Sequence, residues 1–91
     1  MTLRNKWTPE QIRTARQIPL RPLLEKMGYA MQQKTSGNWS VNTLPGDIVI
    51  KDNYWVSLSH GRGGNTIDLF THVMGMKFTD AMKTIEEFMQ P

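Results

Sequence analysis

Apolar and polar side chains alternate along residues 54–59, in the most regular stretch of this 91-residue chain. Alternation with a period of two predicts a strand whose neighbouring side chains lie on opposite faces. Tyr54 and Trp55 are therefore expected on different faces. We predict that Tyr54 belongs to the core together with Trp39, and that Trp55 faces solvent.

Three more segments predict strands, because β-branched or aromatic residues alternate between turns rich in Gly, Pro, Asn and Asp. They are residues 29–34, 39–42 and 48–50. Four short strands at this spacing predict an antiparallel meander.

Helical signals flank the meander on both sides. Thr8, Pro9 and Gln11 form a capping-box start for a helix to about Gln17, and Asn65 is a good N-cap for a helix over residues 66–73. The second helix is predicted to bury Leu20, Leu23, Leu24 and Met27 and to end at Gly28. The last is predicted to be capped by Thr79 and to bury Ala81, Met82, Ile85, Phe88 and Met89. The chain is thus predicted to be one α+β domain over residues 1–91, with residues 1–7 loose.

Composition narrows the class of protein. The chain has no cysteine, which excludes a disulfide framework and a cysteine zinc site, and 38% of its residues are hydrophobic, which predicts a globular fold. No apolar run reaches the length of a membrane span, so we expect a cytoplasmic protein with no membrane partner. Residues 1–27 carry six Lys or Arg against two Glu, whereas residues 66–91 carry two Lys against four Asp or Glu. This asymmetry is compatible with a nucleic-acid surface, and an ordinary solvated surface is the alternative.

The glycine-rich segment after the strand at 54–59 has the order of an anion-binding element. Arg62, Gly63 and Gly64 precede the helix cap Asn65, and free N–H groups at a helix start can bind a phosphate. The segment matches neither a P-loop nor a dinucleotide-binding fingerprint. A loop that only turns the chain is the alternative.

Basic and aromatic residues favour nucleic-acid binding. Lys34 and Lys51 flank the predicted sheet, and Trp55 is the candidate for stacking on a base. Arg13 and Arg16 are neighbours on the first helix and could bind phosphates, although such pairs are commonly just solvated.

Catalysis is not expected. His60 lies close to Ser57 and Ser59, but a hydroxyl–imidazole pair at a strand end is usually an ordinary surface contact. No metal-ligand spacing surrounds either of the two histidines, His60 and His72. We therefore predict no catalytic residue, no metal and no cofactor.

Residues 48–88 resemble a known family. The strand followed by GRGGNTIDL, a helix and FTDAM is similar to the zinc-binding domain of bacterial DnaG-type primases. Upstream, IPLRPLLEKMGY resembles cysteine-free relatives that precede toprim domains in mobile-element primase-like and mobilisation proteins. The resemblance extends over roughly residues 18–88 and is most specific from Trp55 to Leu69.

The resemblance also shows a departure from the family. Ser57 and His60 occupy the positions of the knuckle cysteines, and no Cys or His stands near residues 41–44, where the other ligand pair belongs. It therefore implies a zinc-free domain in which His60 is a remnant of the ligand set or a capping group.

By the same resemblance, the chain would bind DNA, single-stranded DNA in particular, in replication or transfer of a plasmid, phage or other mobile element. A replicative helicase, primase or relaxase would be its protein partner. From the residues themselves, the expected binding residues are Arg62, Trp55, Gly63, Gly64, Asn65, Lys34, Lys51, Arg13, Arg16 and His60. The alternative is a non-catalytic adaptor that recruits a helicase, polymerase or relaxase through Met74, Met76, Met82 and Met89.

Overall fold

The computed structural model describes residues 7–89 and shows one antiparallel sheet with helices before and after it in the chain. The helices are α1 (Pro9–Arg16), α2 (Leu20–Lys26), α3 (Thr66–Asp68), which continues as a π-turn (Leu69–Val73), and α4 (Phe78–Met89). The strands are β1 (Gln32–Gln33), β2 (Trp39–Val41), β3 (Ile48–Lys51), β4 (Tyr54–Ser57) and β5 (Arg62–Gly64). Their order in the sheet is their order in the chain. The predicted α+β class and meander are confirmed.

Local side-chain chemistry sets the first helix boundary. The Thr8 hydroxyl accepts from the Gln11 amide at 3.1 Å, and the Gln11 side chain accepts from the Thr8 amide at 2.8 Å. This reciprocal pair satisfies two N–H groups that a helix start leaves free. It confirms the predicted capping box.

Trp7, the last residue of the predicted loose lead, contacts α4. Its indole N–H donates to Glu86 Oε2 at 2.6 Å, and its ring packs edge-on against Phe78. Residues 1–6 lie outside the described part of the chain.

The glycine-rich segment is a strand, not the predicted loop. Arg62, Gly63 and Gly64 pair with Ser57, Val56 and Trp55 of β4, respectively. The meander therefore has five strands instead of about four. Pairing is possible here because the turn closes tightly, with the Gly61 amide donating to Ser57 O at 2.8 Å.

Two other predicted boundaries are wrong. The strand predicted over residues 29–34 is reduced to β1, because the Tyr29 amide donates to Leu24 O and the chain is still completing the end of α2. Thr79 lies inside α4, which begins one residue earlier at Phe78. The stop of α2 at Gly28 is as predicted, with φ at +93°.

The two faces of the sheet differ sharply. The residues of one row, aligned across all five strands, are half-buried or exposed: Gln32, Ser40, Val49, Val56 and Gly63. Lys51 and Tyr54 lie on the same face as this row, because each is two residues away from Val49 or Val56 on its strand. We call the row together with Lys51 and Tyr54 the open sheet face. The opposite face carries Val41, Ile48, Ile50 and Trp55, which are buried.

The helices contribute the rest of the core on that buried face. α2 packs against β3, and α1 and α4 pack against each other and against α3. Their buried side chains are Ala15, Leu20, Leu23, Leu24, Ile67, Leu69, Phe70, Ala81, Met82 and Ile85. Of the helical stripes predicted from the sequence, Met27 and Phe88 are half-buried against this core and the side chain of Met89 lies outside the described residues, whereas the other predicted residues of α2 and α4 are core.

Side-chain hydrogen bonds tie the start of α3 to the α1–α2 connection and to β4. The buried Thr66 hydroxyl donates to Ile18 O at 2.6 Å, and the Trp55 indole N–H donates to Asn65 O at 2.9 Å. The turn before β4 also contacts α1, since Asn53 Nδ2 donates to Arg16 O at 3.0 Å. These contacts hold the β5–α3 junction in one position relative to the sheet.

Candidate nucleic-acid interface

A hydrogen-bonded group connects the turn before β3 with the turn after β4. Ser57 is buried, and its hydroxyl donates to Gly46 O at 2.6 Å. The same oxygen lies 3.2 Å from the backbone nitrogen of His60 and 3.1 Å from its Nδ1. Gly46 has no room for a side chain, because a Cβ would lie 2.8 Å from the Ser57 oxygen.

Counting donors and acceptors fixes the tautomer of His60. A hydroxyl has one proton and two lone pairs. The proton of Ser57 goes to Gly46 O, so its oxygen accepts from both the His60 amide and Nδ1–H. Nδ1 of His60 is therefore protonated, and Nε2 is the nitrogen left to meet a ligand or a second proton.

This arrangement does not suit a serine nucleophile. A general base accepts the hydroxyl proton of the nucleophile that it activates. In this group the imidazole donates to Ser57, and the hydroxyl proton is used on a carbonyl oxygen. Ser59 is engaged separately, since its hydroxyl donates to the Asp47 carboxylate.

The donor set also does not fit the zinc ion of the primase-like domains. Structural zinc takes four Cys, His or carboxylate ligands. At the first ligand pair Val41 and Leu44 are buried in the core, and at the second the Ser57 hydroxyl is committed to Gly46. Among residues 7–89 no three His, Asp or Glu side chains are grouped to hold a metal ion. Hydrogen bonds and apolar packing join the two turns instead.

His60 lines a recess together with the second histidine. The cavity has a volume of about 240 Å³ and lies between the turn after β4, the edge strand β5 and the π-turn. Its polar lining is Ser57, His60, Arg62 and His72, and its apolar lining includes Ile48 and Val73. We call it the histidine recess. Sequence reasoning missed His72 because it is twelve positions away from His60, on a separate element.

Trp55 does not face solvent, and its predicted role in stacking is wrong. The ring is fully buried, with 0% of its surface exposed. Register explains this, because Trp55 is aligned with Ile50 on the face that the helices cover. Trp39, predicted as core, is half-buried, and the Arg21 guanidinium lies 4.1 Å from its ring centroid.

Tyr54 is the aromatic residue that is exposed, and its predicted place in the core is also wrong. It has 52% of its surface exposed on the open sheet face, where it pairs with Lys51. Its hydroxyl lies 2.9 Å from the point where a Cβ would stand on Gly63. The ring thus reaches across to the edge strand, over a position that only glycine leaves free.

The Asn65 amide, which was predicted to bind an anion, is not free. The Asn65 side chain accepts from the Asp68 amide at 3.1 Å, and the Asp68 carboxylate accepts from the Asn65 amide at 3.0 Å. The carboxylate also lies next to Gly64. Asn65 is confirmed as the N-cap, but its amide cannot bind a phosphate because a negative group already occupies the positive end of the helix.

The predicted cationic residues are exposed but dispersed. Lys34 lies in the turn after β1, and Lys51 ends β3 beside Tyr54. Arg13 lines a groove between α1 and α4 that also contains Glu10 and Glu86. Of the predicted set, Arg62 and His60 come together in the histidine recess, and Lys51 comes next to an aromatic ring.

The methionine surface expected of an adaptor is not present as predicted. Met82 is buried in the core, with 1% of its surface exposed. Met74 and Met76 are half-buried and pack against the same core. The side chain of Met89 lies outside the described residues.

Comparison with known protein families, with curated proteins and with solved structures finds no match to this chain. The relationship to DnaG-type primases therefore stays a prediction from its residues. In the part of the chain that the structure describes, no helix is both long and apolar enough to cross a membrane.

Proposed function

We propose that this chain is a DNA-binding module that holds single-stranded DNA on the open sheet face. The observation that supports the proposal best is the position of Tyr54, half-exposed, paired with Lys51 and lying over Gly63. An aromatic ring beside a cation is the usual element with which proteins hold single strands, and each stacked base contributes about 1–3 kcal/mol.

The surroundings of Tyr54 support the same interpretation. A shallow hollow of about 350 Å³ on β4 and β5 is lined by Tyr54, Val56, Leu58 and Gly63, with Arg62 at its edge. Leu58 is 61% exposed, which adds an apolar contact for a base. The row of the open sheet face that includes Val56 and Gly63 carries small or uncharged side chains, so a DNA strand can approach the sheet closely.

Lys51 and Lys34 would contribute sequence-independent attraction to the phosphate backbone. Both are exposed, and the chain carries a net charge of +3. Such attraction weakens with salt, because bound cations on DNA are released when protein side chains replace them. The process that we propose, on the resemblance to primase domains, is replication or transfer of a mobile genetic element.

Titration of a fluorescently labelled single-stranded oligonucleotide tests this function. We expect binding at about 50 mM salt and a steep loss of affinity by about 200 mM. A chain that does not bind at the lower salt would contradict the proposal. Capture of a helicase or relaxase in a pull-down by such a chain would favour the adaptor alternative.

A further inference from the structure

The histidine recess is lined by three nitrogen-bearing side chains. His60, Arg62 and His72 come from three different elements, and of the described residues no Asp or Glu lines the cavity. The planar guanidinium of Arg62 presents a fork of N–H donors that matches the oxygens of a phosphate.

The orientation of His60 is fixed before any ligand arrives. Ser57 accepts from its Nδ1–H at 3.1 Å, and Ser57 is itself held by Gly46. A second residue that fixes one ring nitrogen sets which nitrogen serves the ligand. Nε2 is thus the free position of His60, and protonation there adds a donor without disturbing the bond to Ser57.

The strand β5 and the π-turn fix the backbone at Arg62 and His72. Arg62 is aligned in register with Ser57 at the edge of the sheet, on the face that the helices cover. His72 belongs to the π-turn, in which the Met74 amide donates to Leu69 O. Such turns interrupt the regular helical spacing and are frequent at functional sites.

We propose that the histidine recess binds a phosphate monoester, held by Arg62 and by the imidazoles of His60 and His72. The cavity, about 240 Å³, has room for a phosphate group. A terminal phosphate can enter a recess, whereas a diester within a strand continues in both directions and needs an open groove.

The phosphate monoester that we favour is the phosphate at the 5′ end of a nucleic-acid strand. The inference thereby deepens the proposed function and in that respect rests on it. Free phosphate is the other source of the same chemistry. Arg62 takes part in both surfaces, since it lines the recess and the edge of the hollow that contains Tyr54. A strand whose end is bound in the recess would therefore begin next to the open sheet face.

The first experiment uses inorganic phosphate alone with the full chain. We expect the imidazole signals of both His60 and His72 to shift in a saturable manner in NMR spectra, while chloride at equal ionic strength leaves them unchanged. The other charged group named at these turns, Asp47, is engaged by Ser59 and does not line the recess.

Variants separate a phosphate site from a general charge effect. Arg62→Gln, His60→Gln and His72→Gln should each weaken phosphate binding by about tenfold, as expected for loss of one charge-assisted hydrogen bond. Lys83→Gln removes an exposed positive charge from α4 and should change nothing. Unchanged binding in all three recess variants would overturn the inference.

The second experiment compares oligonucleotides with and without a 5′-phosphate. We expect the phosphorylated strand to bind about tenfold more tightly, and the difference to vanish in Arg62→Gln. If both strands bind equally and phosphate leaves the histidine signals unmoved, the inference fails while the proposed function stands. If phosphate binds but neither strand does, the proposed function fails while the recess stands as a site for free phosphate.

Discussion

The hydroxyl oxygen of Ser57 lies 3.1 Å from Nδ1 of His60 and acts as the acceptor of that bond. The relationship follows from Gly46, whose carbonyl oxygen takes the serine proton at 2.6 Å. Ser57 and His60 are the two positions at which the primase resemblance places knuckle cysteines. In this chain a hydrogen-bonded group joins the two turns, and it also orients an imidazole toward a recess.

Replacing the buried hydroxyl should destabilise the fold. Ser57→Ala removes a donor to Gly46 O and an acceptor for the amide and Nδ1 of His60, and we expect a loss of about 1–3 kcal/mol in the free energy of unfolding. Urea denaturation measures it. The matched control is Ser59→Ala, whose hydroxyl serves only an exposed carboxylate. Equal losses in the two variants would contradict the role given to Ser57.

Glycine at position 46 should be required for space as well as for conformation. Gly46 and Gly37 have nearly the same φ, +96° and +93°, but only Gly46 has atoms near its missing Cβ. Both alanine variants carry the left-handed strain of about 1–2 kcal/mol. Gly46→Ala should lose roughly 1–3 kcal/mol more, because the added carbon displaces Ser57 or His60. Thermal unfolding of the pair shows whether that difference exists.

Trp55 should matter for stability and not for DNA binding. Trp55→Phe removes the indole donor to Asn65 O and leaves a small cavity, so we expect a loss of about 1–3 kcal/mol in the free energy of unfolding. Oligonucleotide affinity should be unchanged at a temperature at which the variant is folded. A variant with full stability and lost affinity would mean that the ring contacts DNA after all.

Tyr54 should show the opposite behaviour. Tyr54→Ala removes a half-exposed ring, and we expect single-stranded DNA binding to weaken by about 1–3 kcal/mol with little change in stability. Tyr54→Phe keeps the ring and should retain the affinity. Fluorescence anisotropy at constant salt measures both. If Leu58→Ala, the exposed apolar neighbour, causes the whole loss and Tyr54→Ala causes none, stacking on Tyr54 is excluded.

Lys51 should contribute through charge alone. Lys51→Gln removes one phosphate contact, so the slope of log affinity against log salt should become shallower by about 0.7, the value for one contact on a single strand. The loss should be similar for strands of different sequence. Lys83→Gln, the same change on α4, should leave the slope as it is. Identical slopes in both variants and the unaltered chain would place Lys51 outside the interface.

Much of the fold follows from short-range patterns in the sequence. The box of Thr8 and Gln11 and the cap of Asn65 involve residues three positions apart, so their chemistry does not depend on the rest of the molecule. The order of helices and strands, and the buried stripe of α2, follow from periodicity for the same reason. The shortness of β1 and the existence of β5 do not follow from such patterns, because strand pairing depends on which segment lies alongside.

The sequence by itself determined that Tyr54 and Trp55 lie on opposite faces, because a strand alternates. It could not determine which face is the core. The packing of α2 against β3 decides which face is the core. Ile50 and Trp55 are paired across β3 and β4, so both side chains lie on the face that the helices cover, and the Trp55 ring fills space there. The histidine recess is likewise a product of the tertiary structure. Only the β4–β5 pairing and the π-turn bring Arg62 and His72 to His60, and no spacing along the chain encodes that meeting.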